Sequence, residues 1–126
     1  MPSNTPLTTV LIADDNSLFV TAVEGILGAE KSIRVVGRAT DGEEAARLAA
    51  ELTPDVVLMD LSMPRMDGFE ATRRIRADTP DTAVVVLTGS LDTMDAARAI
   101  EAGASGYVTK DRILPELVAA IQAAAG

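Results

Sequence analysis

Three short runs of this chain, Val10-Leu11-Ile12-Ala13, Val56-Val57-Leu58-Met59 and Ala83-Val84-Val85-Val86-Leu87, contain no polar residue. A strand with one face in water alternates apolar and polar side chains, so a run without alternation reads as a strand buried on both faces. Such strands belong to a parallel sheet covered by helices on both sides. Between the runs lie stretches with helical spacing. Phe19, Val23, Ile26 and Leu27 fall at i, i+4, i+7 and i+8 within Asn16 to Gly28, one face of a 3.6-residue period. Leu18 and Val20 lie off that stripe and are read either as an exposed docking surface or as helix packing. Asn16 or Ser17 caps this helix and Gly28 ends it.

The alternation continues along the chain. Ile33-Arg34-Val35-Val36 is a mixed strand, as an edge strand can be, and Asp41-Gly42-Glu43-Glu44 opens a second helix with acidic residues in its first turn. Pro54 closes that unit. A loop from Leu61 to Asp67 leads to a helix over Gly68 to Ala77, and Pro80 separates it from the next strand. Asp92 caps a fourth helix that Gly103 terminates. Gly106-Tyr107-Val108-Thr109 is the fifth strand, and Pro115 suits the first turn of a fifth helix, whose buried stripe reads as Leu114, Leu117, Val118 and Ile121. Five strand-then-helix units with right-handed crossovers predict a single doubly wound α/β domain, a five-stranded parallel sheet in the order 2-1-3-4-5 with five helices. The domain is expected over residues 8–125, preceded by a flexible tail at 1–7.

Composition narrows the chemistry. The chain of 126 residues has no Cys and no His, which removes disulfides, thiolate and imidazole metal sites, and Ser-His-Asp triads. Any metal must be hard and bound by oxygen. The net charge of −8 argues against direct binding to nucleic acid or an anionic membrane. No stretch is apolar enough to span a bilayer and the N-terminus does not read as a secretory signal, so a cytoplasmic location is expected. The aromatic residues are Phe19, Phe69 and Tyr107, so the core must be aliphatic.

Ligands of doubly wound sheets bind beyond the carboxyl ends of the strands, near the switch point in strand order. The first strand ends in Asp14-Asp15, the third in Asp60, the fourth in Thr88-Gly89-Ser90 and the fifth in Lys110. Taken singly these are ordinary: an acid before a helix is often a cap, and a lone Lys is a solvated charge. Asp60 stands out because its apolar strand carries it inward, and a buried carboxylate needs a partner. Three carboxylates held together raise one another's pKa, and a divalent cation with Lys110 relieves the crowding. Oxygen ligands in a compact site suit Mg²⁺. A metal beside a carboxylate, a hydroxyl and an ammonium is what phosphoryl transfer to that carboxylate requires.

With these residues placed, the chain resembles the response regulator receiver domains, the CheY-like family. The resemblance runs from about Thr8 to Ala125 and rests on ordered motifs: Val10 to Asp15, Val57-Leu58-Met59-Asp60, Met63-Pro64 with Asp67-Gly68, Val86-Leu87-Thr88, and Gly103 to Lys110. It implies that Asp60 accepts a phosphoryl group from a sensor histidine kinase. It implies that Asp14, Asp15, Asp60 and the backbone carbonyl of Ser62 hold Mg²⁺, with Mn²⁺ as a substitute. Lys110 would pair with the phosphoryl group, Thr88 would hydrogen-bond it, and Tyr107 would change rotamer with Thr88. Gly89 would leave the site open, and Ser62 and Ser90 would tune the lifetime of the aspartyl phosphate.

In motif style the chain is most similar to the NarL/FixJ subfamily, whose members usually carry a LuxR-type helix-turn-helix domain. Asn16-Ser17 stands where that subfamily more usually has His-Pro, and Asp111 follows Lys110 where many receivers have Pro. The resemblance therefore implies a two-component signalling domain rather than a turnover enzyme, with transcriptional output through a DNA-binding domain outside this chain. A stand-alone receiver acting through protein contacts is the alternative. A homodimer is compatible with either. An aspartyl-phosphate phosphatase would want a second Asp two residues after the nucleophile, where Ser62 stands, and no Gly-rich nucleotide-binding motif is present.

Overall fold

In the computed structural model of this protein, which describes residues 7–63, 66–89 and 93–126, the apolar runs pair as neighbouring parallel strands. Strands β1 (Thr8–Ala13), β2 (Ile33–Ala39), β3 (Val56–Asp60), β4 (Ala83–Thr88) and β5 (Gly106–Thr109) form one sheet in the order β2-β1-β3-β4-β5. Helices α1 (Ser17–Gly28), α2 (Gly42–Leu52), α3 (Gly68–Asp78), α4 (Thr93–Ala102) and α5 (Ile113–Ala125) alternate with them, and a 3-10 turn at Lys110–Arg112 leads into α5. The doubly wound α/β fold and its strand order are those expected. The tail residues 1–6, Pro64, Ser90 and the expected cap Asp92 lie outside the described residues.

Strand alternation splits the core into two layers. Leu11, Val57, Met59, Val84 and Val86 face α2, α3 and α4, where Ala45, Ala49, Ala71, Ile75 and Ala99 pack. Val10, Ile12, Val56, Leu58, Val85, Leu87 and Val108 face α1 and α5, against Val20, Val23, Leu27, Leu117 and Ile121. The small alanines let α2, α3 and α4 lie close on the sheet. Arg98 of α4 stacks on Phe69 of α3, 4.0 Å from the ring centroid, and joins two helices of that layer.

Capping follows the sequence closely. Asn16 accepts from the Phe19 N–H, Asp41 from the Glu44 N–H and Asp67 from the Glu70 N–H, so α1, α2 and α3 each begin on a side-chain cap. Gly103 closes α4 at φ +110, a conformation that suits glycine.

The structure refines the expected elements in several places. Strand β2 runs on to Ala39, because its outer residues keep pairing with β1 past a bulge opposite Val10 and Leu11. Of the two residues read as docking surface or helix packing, Val20 packs, because α1 turns Val20, Val23 and Leu27 to the sheet, and Leu18 is 83% exposed. Leu114 is 77% exposed, and Ile113 packs against the core in its place. The 3-10 turn shifts the phase at which α5 starts, which sequence periodicity cannot register. On α3, Arg73 and Arg74 pair with Glu70 and Asp78 on the solvated face, and Arg76 turns back to donate to the Pro80 and Thr82 carbonyls.

Candidate functional site

Register brings the strand ends together. Ala13 pairs with Met59, so Asp14 comes level with Asp60 across the switch point; Asp60 pairs with Leu87, and Thr88 with Thr109. Lys110 follows directly. Its ammonium lies 3.1 Å from Asp14 Oδ2 and 3.5 Å from Asp60 Oδ1. Asp14 and Asp60 are both buried, and Asp15 is exposed at the mouth. One carboxylate oxygen from each of Asp14, Asp15 and Asp60 falls within 4.8 Å of the others.

Each acid has a distinct setting. Asp14 accepts from the Asn16 N–H at 2.9 Å and from Lys110, so both of its oxygens are held. Asp15 reaches solvent. Burial, and next the charge of Asp14, push the Asp60 carboxyl above the ordinary carboxylate value, while Lys110 and the Ser62 N–H partly offset them. Ionised Asp60 is therefore under-compensated by the protein alone. Oxygen donors, two buried carboxylates and a third open to solvent fit a hard divalent cation.

The surrounding backbone is tight. A Cβ on Gly68 would stand 2.5 Å from the Asp60 carbonyl oxygen and 2.7 Å from the Leu61 Cα, and the Gly68 N–H donates to the Leu61 carbonyl. Only glycine lets the start of α3 approach the end of β3 so closely. Ser62 is exposed at the start of that loop.

Thr88 is buried, and Tyr107 is half-buried against the α2–α3–α4 layer. Tyr107 pairs with Val86, so Thr88 is its diagonal neighbour on the same sheet face. Thus Asp14, Asp60 and Lys110 gather at one point, while Thr88 and Tyr107 line the opposite face of the same sheet edge. The sequence reading placed Phe19 only in the buried stripe of α1. Its ring lies against Lys110, with Nζ 4.2 Å from the centroid. The available signal was that Phe19 falls in the first helical turn after Asp14-Asp15.

Residues 10–122 match the response regulator receiver domain family. The chain is 44% identical to the response regulator GacA of Pseudomonas aeruginosa over 113 residues, 90% of this chain and 53% of that protein, so it spans about half the length of such relatives. Among solved structures, a LuxR-family two-component response regulator from Aurantimonas is similar at TM-score 0.90 and 38% identity, covering 94% of this chain and 85% of that one. The receiver domain of a Pseudomonas aeruginosa sensor histidine kinase, crystallised with a magnesium ion coordinated in its active-site cleft, is similar at TM-score 0.83 and 30% identity, covering 95% and 98%.

Proposed function

The chain belongs to the response regulator receiver domain family, and from that premise we propose that Asp60 is its phosphoacceptor, charged by the phosphohistidine of a sensor histidine kinase. The observation that carries this reading is a buried carboxylate at the end of β3, flanked by two further acids and an ammonium. A carboxylate oxygen of Asp60 attacks phosphorus, an O–P bond forms, and the P–N bond to the imidazole breaks. The imidazole leaves as the neutral ring when its other nitrogen carries a proton. Mg²⁺, held by Asp14, Asp15, Asp60 and the Ser62 carbonyl, would neutralise the charge gathering on the phosphoryl oxygens. Mn²⁺ suits the same donors. The donor set supports this assignment, as does the magnesium ion in the cleft of the similar kinase receiver.

The remaining roles belong to this chain's own side chains. Asp14 orients Lys110 and is itself oriented by the Asn16 N–H. Lys110 moves its ion pair from Asp60 to the new phosphoryl oxygens. Thr88 donates its hydroxyl to one of them, and Tyr107 follows into the space Thr88 leaves. The signal so passes along the sheet edge from Asp60 to the surface formed by α4, β5 and α5. The receiver unit spans residues 8–125. Its output is transcriptional, through a LuxR-type DNA-binding domain, a reading supported by the similar LuxR-family regulator. Among the described residues no helix is long and apolar enough to cross a membrane. The test is mass spectrometry after incubation with acetyl phosphate and Mg²⁺. One phosphoryl group should be gained by the parent and none by Asp60→Asn; equal incorporation in both would move the acceptor elsewhere.

A further inference from the structure

Among the described residues, Lys110 sits against three groups, two of them charged. Asp14 Oδ2 lies 3.1 Å from its ammonium and Asp60 Oδ1 3.5 Å. The third is the face of the Phe19 ring, with its centroid 4.2 Å from Nζ. Phe19 is partly buried against the α1–α5 core layer, so the ring has a fixed seat. Lys110 itself follows the last residue of β5, in a 3-10 turn without a side-chain cap, and its side chain remains 27% exposed. A four-carbon stem at such a place has many rotamers, most of them leading into water. An aromatic face attracts an ammonium through its quadrupole, with an attraction that grows as water is excluded.

We propose that Phe19 is a positioning residue for the phosphoryl-transfer site: its ring holds the Lys110 ammonium over Asp60, so that the charge is in place when the phosphoryl group arrives. The proposal rests on the reading of Asp60 as phosphoacceptor. The ring touches neither Asp60 nor the donor in this role; it acts through Lys110. Preorganised charge counts toward the rate because it need not be gathered during the reaction. Phe19 therefore serves two purposes, one side chain filling the α1 stripe and seating the Lys110 ammonium.

Lys110 and Lys31 are the lysines of this chain, and Lys31 is exposed, so lysine-selective 13C labelling yields one probe and one reference. In the metal-free parent, the Lys110 ε-methylene protons should be shifted upfield of those of Lys31 by the ring current. Phe19→Leu keeps an apolar side chain in the stripe and should abolish the shift; Phe19→Tyr keeps the ring face and should retain it. With acetyl phosphate and Mg²⁺, the maximal phosphorylation rate of Phe19→Leu should fall about three- to tenfold, the range expected from one partly desolvated cation–π contact, and Phe19→Tyr should restore it. Circular dichroism of each variant verifies the fold. If Phe19→Leu is folded and phosphorylates at the parent rate, or if Lys110 shows no ring-current shift in the parent, the proposal is overturned. If the parent takes up no phosphoryl group at all, it is the reading of Asp60 that fails, and the chemical shifts still report on the contact.

Discussion

At the scale of single residues, Asp60 is held at a cost. Its carboxyl is raised above the ordinary value by burial and by Asp14, more than Lys110 and the Ser62 N–H lower it. The ionised side chain therefore opposes folding. That penalty is absent below about pH 3.9, where the group is neutral in both folded and unfolded chains, and is complete once pH passes the elevated folded value. Asp60→Asn should consequently be more stable than the parent at pH 7, with the gap closing as pH falls toward that limit. Urea midpoints at the two pH values measure it; a parent more stable than the variant at pH 7 would show that the Lys110 pairing outweighs burial. Gly68 is constrained differently. A Cβ there meets the Asp60 carbonyl oxygen at 2.5 Å, and backbone cannot step aside as a flexible side chain can. Gly68→Ala should cost on the order of 1–3 kcal/mol in urea unfolding and should also slow phosphorylation, because relief of the clash displaces the end of β3. Unchanged stability would mean that α3 can slide outward freely.

At the scale of elements, helix phase decides which apolar residues support the fold. Leu114 and Leu117 are both leucines of α5, three positions apart, yet Leu114 is 77% exposed and Leu117 is fully buried. Leu117→Ala should cost about 2–5 kcal/mol, whereas Leu114→Gln should stay within about 0.5 kcal/mol of the parent. Denaturant unfolding of the two variants checks the phase of α5 directly, and a large loss at Leu114 would contradict it. The phase is set by the 3-10 turn at Lys110–Arg112, which joins β5 to α5 with a tighter winding than the helix itself. The same turn carries Lys110, so the element that starts α5 also delivers the ammonium to the site.

At the scale of the whole molecule, the site is a meeting of charges from chain positions far apart: Asp14 and Lys110 are separated by 96 residues. A cation that binds only this assembled cluster stabilises the fold by linkage, by about 2.7 kcal/mol when its concentration is one hundred times its dissociation constant. Mg²⁺ should raise the melting temperature of the parent and leave Asp15→Ala nearly unmoved, since Asp15 is the exposed arm of the cluster. An equal rise in both would place the cation elsewhere on a chain of net charge −8. The proposed switch can be followed at Tyr107, the one tyrosine in a chain without tryptophan. Beryllofluoride with Mg²⁺ should change Tyr107 fluorescence in the parent and change it less in Thr88→Ala. The same response in both would mean that the path across the sheet does not pass through Thr88.

The sequence by itself determined the sheet, its order and the carboxyl ends of β1, β3, β4 and β5. Uninterrupted apolar runs such as Val56 to Met59 have no stable place except between two helical layers, and the polar residues that follow them must surface at one edge. Asp14, Asp15, Asp60, Thr88 and Lys110 were legible for that reason: each is the first polar residue, or the second, after an apolar strand. What only the tertiary structure decided are matters of phase and of approach. Val20 is buried and Leu114 exposed because helix rotation is set by packing and by the preceding turn, which a 3.6-residue period leaves free. Gly68 against the Asp60 carbonyl and the Phe19 ring against Lys110 are contacts between distant parts of the chain. Local periodicity assigns a residue to a face; it cannot say which atom waits on the other side of that face.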